Sequence, residues 1–270
     1  MLVPNRQIVR CDDHRFDADE SGTQYTHHLF IRLSAKNKTF THVDFRYCVF
    51  DGCYLRGCRF VACDLTGCRF LSTSFHGSTF SDCQFAYASF EKTSIADDIL
   101  ETQAPDFENQ KAKFARSLRV NYQQLGEAQS VNKAIKIELE ATRTHLHKAW
   151  SSKKDYYRRK YPGIQRISAF FRWARFTALH LLWGNGESAP RLLCSLSLLF
   201  MLMALYHAFH VGDPSQISCY WNGFSAAPSV FLGIRAYPQY SNWYVTGIAT
   251  IRLLSFAALT SILIKRFNRR

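Results

Sequence analysis

The residues best equipped for chemistry in this chain of 270 are nine cysteines and ten histidines. Six of the cysteines, Cys48, Cys53, Cys58, Cys63, Cys68 and Cys83, are spaced by multiples of five. A zinc site asks for close pairs such as Cys-x2-Cys with converging ligands, and no such pair occurs. A buried thiol otherwise behaves as a small hydrophobe. His27 with His28, and His145 with His147, are the closest histidine pairs, and neither has a third ligand or a nucleophile motif beside it. Gly-x-Ser-x-Gly, P-loop and His-Glu-x-x-His motifs are absent. The expectation is a chain with no catalytic residue, metal or cofactor: not an enzyme.

The spacing of five also extends to apolar residues. Phe40, Phe45, Phe50, Leu55, Phe60, Leu65, Phe70, Phe75, Phe80, Phe85, Phe90 and Ile95 form an unbroken series. A period of five matches neither a helix nor a flat strand. It suits a solenoid in which each pentad makes one side of a square coil and points its apolar residue at the axis. Two positions earlier runs a second inward column: the six cysteines with Thr73, Ser78, Ala88 and Thr93, all small. The pattern closely resembles pentapeptide-repeat proteins, and the resemblance implies a right-handed quadrilateral β-helix of four repeats per coil. Residues 40–95 then give about three coils. Some relatives of that fold mimic DNA with an acidic surface. Here five acids balance five bases, which argues against such a mimic.

Overall, 47% of residues are hydrophobic and 20% charged, which excludes a wholly disordered chain. The formal net charge is +13, and the excess of base lies in the second half. A basic surplus points to an anionic partner, and position selects which one. Residues 192–212 contain no charged residue and read as a membrane span, since about 20 apolar residues cross a ~30 Å hydrocarbon core. Residues 244–264 read as a second span, interrupted by Arg252. Arg166, Arg172, Arg175 and Arg191 precede the first, and the stretch from Arg266 to Arg270 follows the second, so the positive-inside rule places both termini in the cytoplasm. The expected location is the inner membrane, multi-pass, with spans near 192–211 and 244–264. The start of the chain lacks the apolar core of a secretory signal.

Between these parts, residues 106–160 show helical spacing, with Gly126 dividing two helices. Residues 164–183 read as a basic, aromatic-rich interfacial helix. Nine Lys/Arg between 148 and 175 face Asp155 as the only acid. Lying just ahead of a span, this run is expected to meet anionic lipid headgroups and not nucleic acid. The domain boundaries are therefore 1–39, an N-terminal segment or cap; 40–95, the β-helix; 96–190, the helical connector; and 191–270, the two-span module. The fold class is a β-solenoid followed by an α-helical connector and two transmembrane helices.

The second half also resembles bacterial membrane proteins that join pentapeptide repeats to a two-transmembrane, potassium-channel-like module. The similarity rests on Tyr122, Leu125, Gly126, Glu127, Ala134 and Glu138, on the turn from Leu182 through Gly184, Gly186 and Glu187 to Arg191, and on Leu253, Leu254, Ser255, Leu259, Ser261, Lys265 and Arg266. The resemblance implies an oligomer, tetrameric in such channels, and a pore helix with filter over residues 225–238, where Ser225, Phe231, Gly233 and Arg235 lie. The filter pattern of such channels departs here: one glycine of two remains, Arg235 falls in the cation path, and Arg252 stands about where relatives place a glutamate. Potassium selectivity does not carry over. An intramembrane arginine usually faces a pore, a partner or a water cavity, and Arg252 is expected at a pore or subunit interface, the alternative being that it snorkels or pairs with a loop carbonyl. The functional expectation is an oligomeric membrane protein of channel-like or permeabilising type, whose cytoplasmic solenoid assembles it or binds a protein partner. The alternative is a non-conducting anchor presenting that scaffold.

Overall fold

The computed structural model of the chain describes residues 8–267; residues 1–7 of the expected N-terminal segment 1–39 and residues 268–270 of the basic tail lie outside the described residues. The chain divides into two units near Phe170.

In the first unit, short parallel strands stack at intervals of one coil. One side carries Val9–Asp12, His28–Ile31, Val49–Asp51, Arg69–Leu71 and Ser89–Glu91 in that order. A second carries Glu20–Ser21, Thr39–Thr41, Arg59–Val61 and Thr79–Ser81, and a third Arg15–Phe16, Ser34–Lys36 and Tyr54–Arg56. The fourth side is a row of single bridges, Gln24 to Asp44 to Asp64 to Gln84. Register advances by twenty: Phe50 pairs with Phe70, and Phe70 with Phe90. Four pentads therefore close one coil, and four coils stack at the ~4.8 Å spacing of neighbouring strands.

Residues 8–39 are thus solenoid and not a separate segment, and the stack has about four coils where the period of five predicted three. The large-apolar series breaks at Ala35, which is small but still in register with Leu55, and the first coil beyond it is one residue short. Phe16 pairs with Ala35, nineteen residues on, whereas Glu20 pairs with Phe40, twenty on. Beyond that deletion the inward residues continue one frame out of step, as Phe16 and Cys11.

A second regularity sets the corners. Every fifth residue from Gly22 to Lys92 has a positive φ, in the left-handed region. Glycines occupy five of these corners, and residues such as Asn37, Tyr47 and Lys92 the rest.

After the last coil come α1 (Ile99–Thr102), α2 (Glu108–Leu125), α3 (Ala128–Ser151) and α4 (Asp155–Lys160). Gly126 ends α2 in the left-handed conformation, at the expected division. Helix α5 (Ile164–Trp183) follows Pro162 and Gly163, with the bounds expected of the interfacial segment. The second unit holds α6 (Ala189–His210), α7 (Ile217–Leu232) and α8 (Asn242–Phe267). Helices α6 and α8 are each long and apolar enough to cross a membrane, with mean hydropathy of 2.0 and 1.9. Only 28% and 17% of their most apolar windows are buried within the chain, unlike the core helix of a soluble domain.

Candidate functional site

The axis of the solenoid is dry and aromatic. Phe40, Phe45, Phe50, Leu55, Phe60, Leu65, Phe70, Phe75, Phe85 and Phe90 are all buried, while Phe80 is half-buried. Phenylalanines one coil apart stack, as Phe50, Phe70 and Phe90 do at 5.2 and 5.1 Å between ring centres.

The small column does more than fit. Each of its thiols or hydroxyls donates to the carbonyl 23 residues earlier. Cys48 reaches Tyr25, Cys53 Phe30, Cys58 Ala35, Cys63 Phe40, Cys68 Phe45 and Cys83 Phe60. Thr73, Ser78 and Thr93 do the same with Phe50, Leu55 and Phe70. Burial pushes the Cys48 thiol up to about 12 and that of Cys53 to about 11, so these sulfurs stay protonated and remain donors. Among the described residues no three His, Cys, Asp or Glu side chains converge as metal ligands would. The sequence showed the size of this column; its donor role lay in the recurrence of Cys, Ser and Thr.

The last coil is closed by side chains acting as a further strand. Gln103 Oε1 accepts from the Cys83 amide at 2.7 Å, while its Nε2 donates to the Phe80 carbonyl at 3.2 Å. Ser117 Oγ and Gln124 Oε1 accept from the amides of Phe90 and Lys92. Phe114 of α2 packs on Phe85 and Phe90, with Leu118 and Tyr122 buried beside it. An unpaired strand edge invites pairing with another chain, and α2 removes this one.

The decisive observation is twenty-residue register with a large apolar residue at every fifth position. Residues 26–98 match the family model described as a pentapeptide repeat region. The coils of the first unit are a pentapeptide-repeat solenoid over these residues. Two solved structures are similar to part of the chain, both trypsin-treated forms of QnrB1, a plasmid-mediated fluoroquinolone resistance protein. They are 18% and 13% identical, cover 35% and 34% of this chain, and have TM-scores of 0.24 and 0.20. The chain spans 57% and 64% of their lengths, less than two thirds in either case. No curated protein matches the chain.

Downstream of the repeat region, the basic segment builds a small aromatic corner. Trp150 and Phe170 meet edge to face at 5.2 Å, and Arg166 Nε donates to the Trp150 carbonyl at 2.6 Å.

In the second unit α7 runs antiparallel to α6. A Cβ on Gly212 would meet that of Cys219 at 3.0 Å, and one on Gly223 would meet Ala204 at 3.0 Å. Farther along, Phe231 lies 5.6 Å from Phe200, half-way down α6. Small residues admit this close approach. The chain then doubles back, because Tyr240 Oη lies 2.8 Å from His207 Nδ1, near the end where α7 began. At the opposite end Lys265 of α8 lies 3.5 Å from Glu187, in the turn ahead of α6.

The sequence placed Ser225, Phe231, Gly233 and Arg235 in a pore-and-filter stretch. Ser225 and Phe231 are helical, and α7 passes through Pro228 to end at Leu232. Gly233 caps it at φ +77°, and Arg235 follows over the Tyr237 ring at 5.2 Å. Gly233 and Arg252 are brought together. A Cβ on Gly233 would lie 3.5 Å from Arg252 Cζ and closer still to Nη1.

Proposed function

We propose that the chain is a non-catalytic, oligomeric membrane protein of channel type, with the repeat region as its cytoplasmic assembly or partner-binding platform. The observation that supports it is the course of α7. A plain two-helix anchor has no use for a half-length helix that descends between its spans, stops at their midpoint and returns. Irregular backbone at such depth is tolerated where it lines a cavity or is buried in protein. Two spans enclose no water path alone, so conduction requires several copies around an axis, four by resemblance.

The orientation proposed is both termini in the cytoplasm of a bacterial inner membrane, with α5 lying on the lipid surface. Lys265 beside Glu187 supports it by setting the basic end of α8 at the start of α6. The Lys/Arg of 148–175 then meet anionic headgroups.

A second reading, a non-conducting anchor for the solenoid, is favoured by one observation: a fixed positive charge, Arg252, stands at the foot of the half-helix. Planar-bilayer recording of the purified oligomer, with reversal potentials in KCl and NaCl gradients, separates the two. Selective or graded conductance supports the channel. Silence from intact oligomer under all conditions supports the anchor.

A further inference from the structure

Arg252 lies at mid-length in α8, and no acidic residue occurs within α6, α7 or α8. The carboxylates of the connecting turns are at opposite ends. Asp213 follows α6 and accepts from the Ser215 amide, and Glu187 faces Lys265. Neither offers Arg252 a counter-charge at its own level.

What meets the guanidinium is the end of α7. A helix finishes with carbonyls that have no intrahelical donor and with partial negative charge. Here Ser229 O accepts from the Ile234 and Arg235 amides and Val230 O from that of Gly233. Among the described residues no backbone amide outside a helix donates to the carbonyls of Phe231 or Leu232. Gly233 meets two demands at once. It takes the left-handed conformation that ends the helix, and it leaves open the space in which the guanidinium lies.

We propose that the C-terminal end of α7 is a site for a guanidinium cation, and that the chain fills it with its own Arg252 side chain. The inference rests on α7 being re-entrant, as proposed above. In a low-dielectric surrounding, a helix end and a cation attract each other more strongly than in water. Half-helix ends and unwound carbonyls are used elsewhere to hold ions within membranes. Tethering the cation to α8 binds the half-helix to the second span and denies the place to free ions.

The test is chemical rescue in the full-length protein, reconstituted in nanodiscs and read by hydrogen exchange over residues 229–236. Arg252→Ala should speed exchange there on the order of 10-fold, as loss of a partly buried charge–helix contact implies. Adding guanidinium chloride in the tens of millimolar should restore protection in the variant and leave wild type unchanged, while equal KCl should not. Arg252→Gln keeps a polar stem without the charge and should behave as Arg252→Ala, which secures the result if alanine impairs folding. Unchanged exchange in both variants, or failure of guanidinium to restore it, overturns the proposal. The readout does not depend on current, so a silent bilayer removes the channel reading and leaves this one standing.

Discussion

Asn121 completes the backbone pairing of Thr93. Its Oδ1 accepts from the Thr93 amide at 2.7 Å, and its Nδ2 donates to the Thr93 carbonyl at 2.8 Å, both buried. One side-chain amide thus supplies the two bonds that a fifth coil would have made. Replacing Asn121 with Leu should cost ~1–3 kcal/mol for each group left unpaired. Gln124→Ala, which frees only the exposed amide of Lys92, should cost less than about 1.5 kcal/mol. Denaturant unfolding followed by protection of solenoid amides gives the comparison. Equal costs would deny Asn121 its special place.

The axis predicts a sharper loss. Phe70 is fully buried between Phe50 and Phe90. Phe70→Ala should cost about 3–5 kcal/mol. Phe70→Asp or Phe60→Asp should unfold the solenoid, because a charge on a dry axis approaches the whole stability of a domain. Circular dichroism of the two aspartate variants suffices, and native spectra from both would refute a packed axis.

The cysteine column predicts a pH response with a definite sign. Burial holds the Cys48 and Cys53 thiols above their ordinary value of 9.0, so the folded state keeps protons that the unfolded chain releases. Their contribution is intact below about pH 9 and falls as pH rises toward 11–12, by up to about 1.4 kcal/mol per pH unit for each thiol. Midpoints of urea unfolding between pH 7 and 11 should show the decline. Cys53→Ser, which keeps a donor but does not ionise, should flatten it. By the same logic Cys58→Ser should be milder than Cys58→Ala, and neither should change metal content.

Gly67 and Tyr47 predict a coupled pair. Gly67 is a corner residue at φ +72°, and a Cβ there would lie 2.5 Å from Cδ1 of the exposed Tyr47 ring. Gly67→Ala therefore carries both the left-handed penalty of ~1–2 kcal/mol and displacement of the ring. Tyr47→Ala should relieve the second part alone, so the double variant should be more stable than the sum of the two single losses implies. Strict additivity would show that the ring moves freely.

Membrane attachment is checked by fractionation. The full chain should resist carbonate extraction, and a chain ending after Gly163 should be released in soluble form. Full-length protein that stays in solution without detergent would remove the span assignments.

The sequence disclosed whatever repeats. Ten small inward residues and a line of twelve large apolar ones each recur every five residues, so the solenoid was legible from Phe40 to Ile95. The first coil was hidden because the large-apolar series breaks at Ala35 and a single missing residue between Phe16 and Glu20 shifts the frame. The cap was hidden for another reason: Gln103, Ser117, Asn121 and Gln124 act through reach across the coil end, and polar residues on a helix carry no signature of the backbone they will meet. Likewise the two helices long and apolar enough to cross a membrane followed from hydropathy, whereas the meeting of Gly233 with Arg252 joins residues nineteen apart in a fold without period. Arginine in an apolar run announced a compensation; only the backtracking of α7 names it.

The cap also sets a timetable. Phe90 leaves the ribosome 31 residues before Asn121, and at ~5–20 residues per second that interval lasts roughly 2–6 s. Throughout it the newest coil ends in bare amides and carbonyls, the template on which a neighbouring nascent chain on the same message is able to pair. Synthesis closes that hazard before α6 emerges, so the repeat region is finished and sealed before the first helix long and apolar enough to cross a membrane is made.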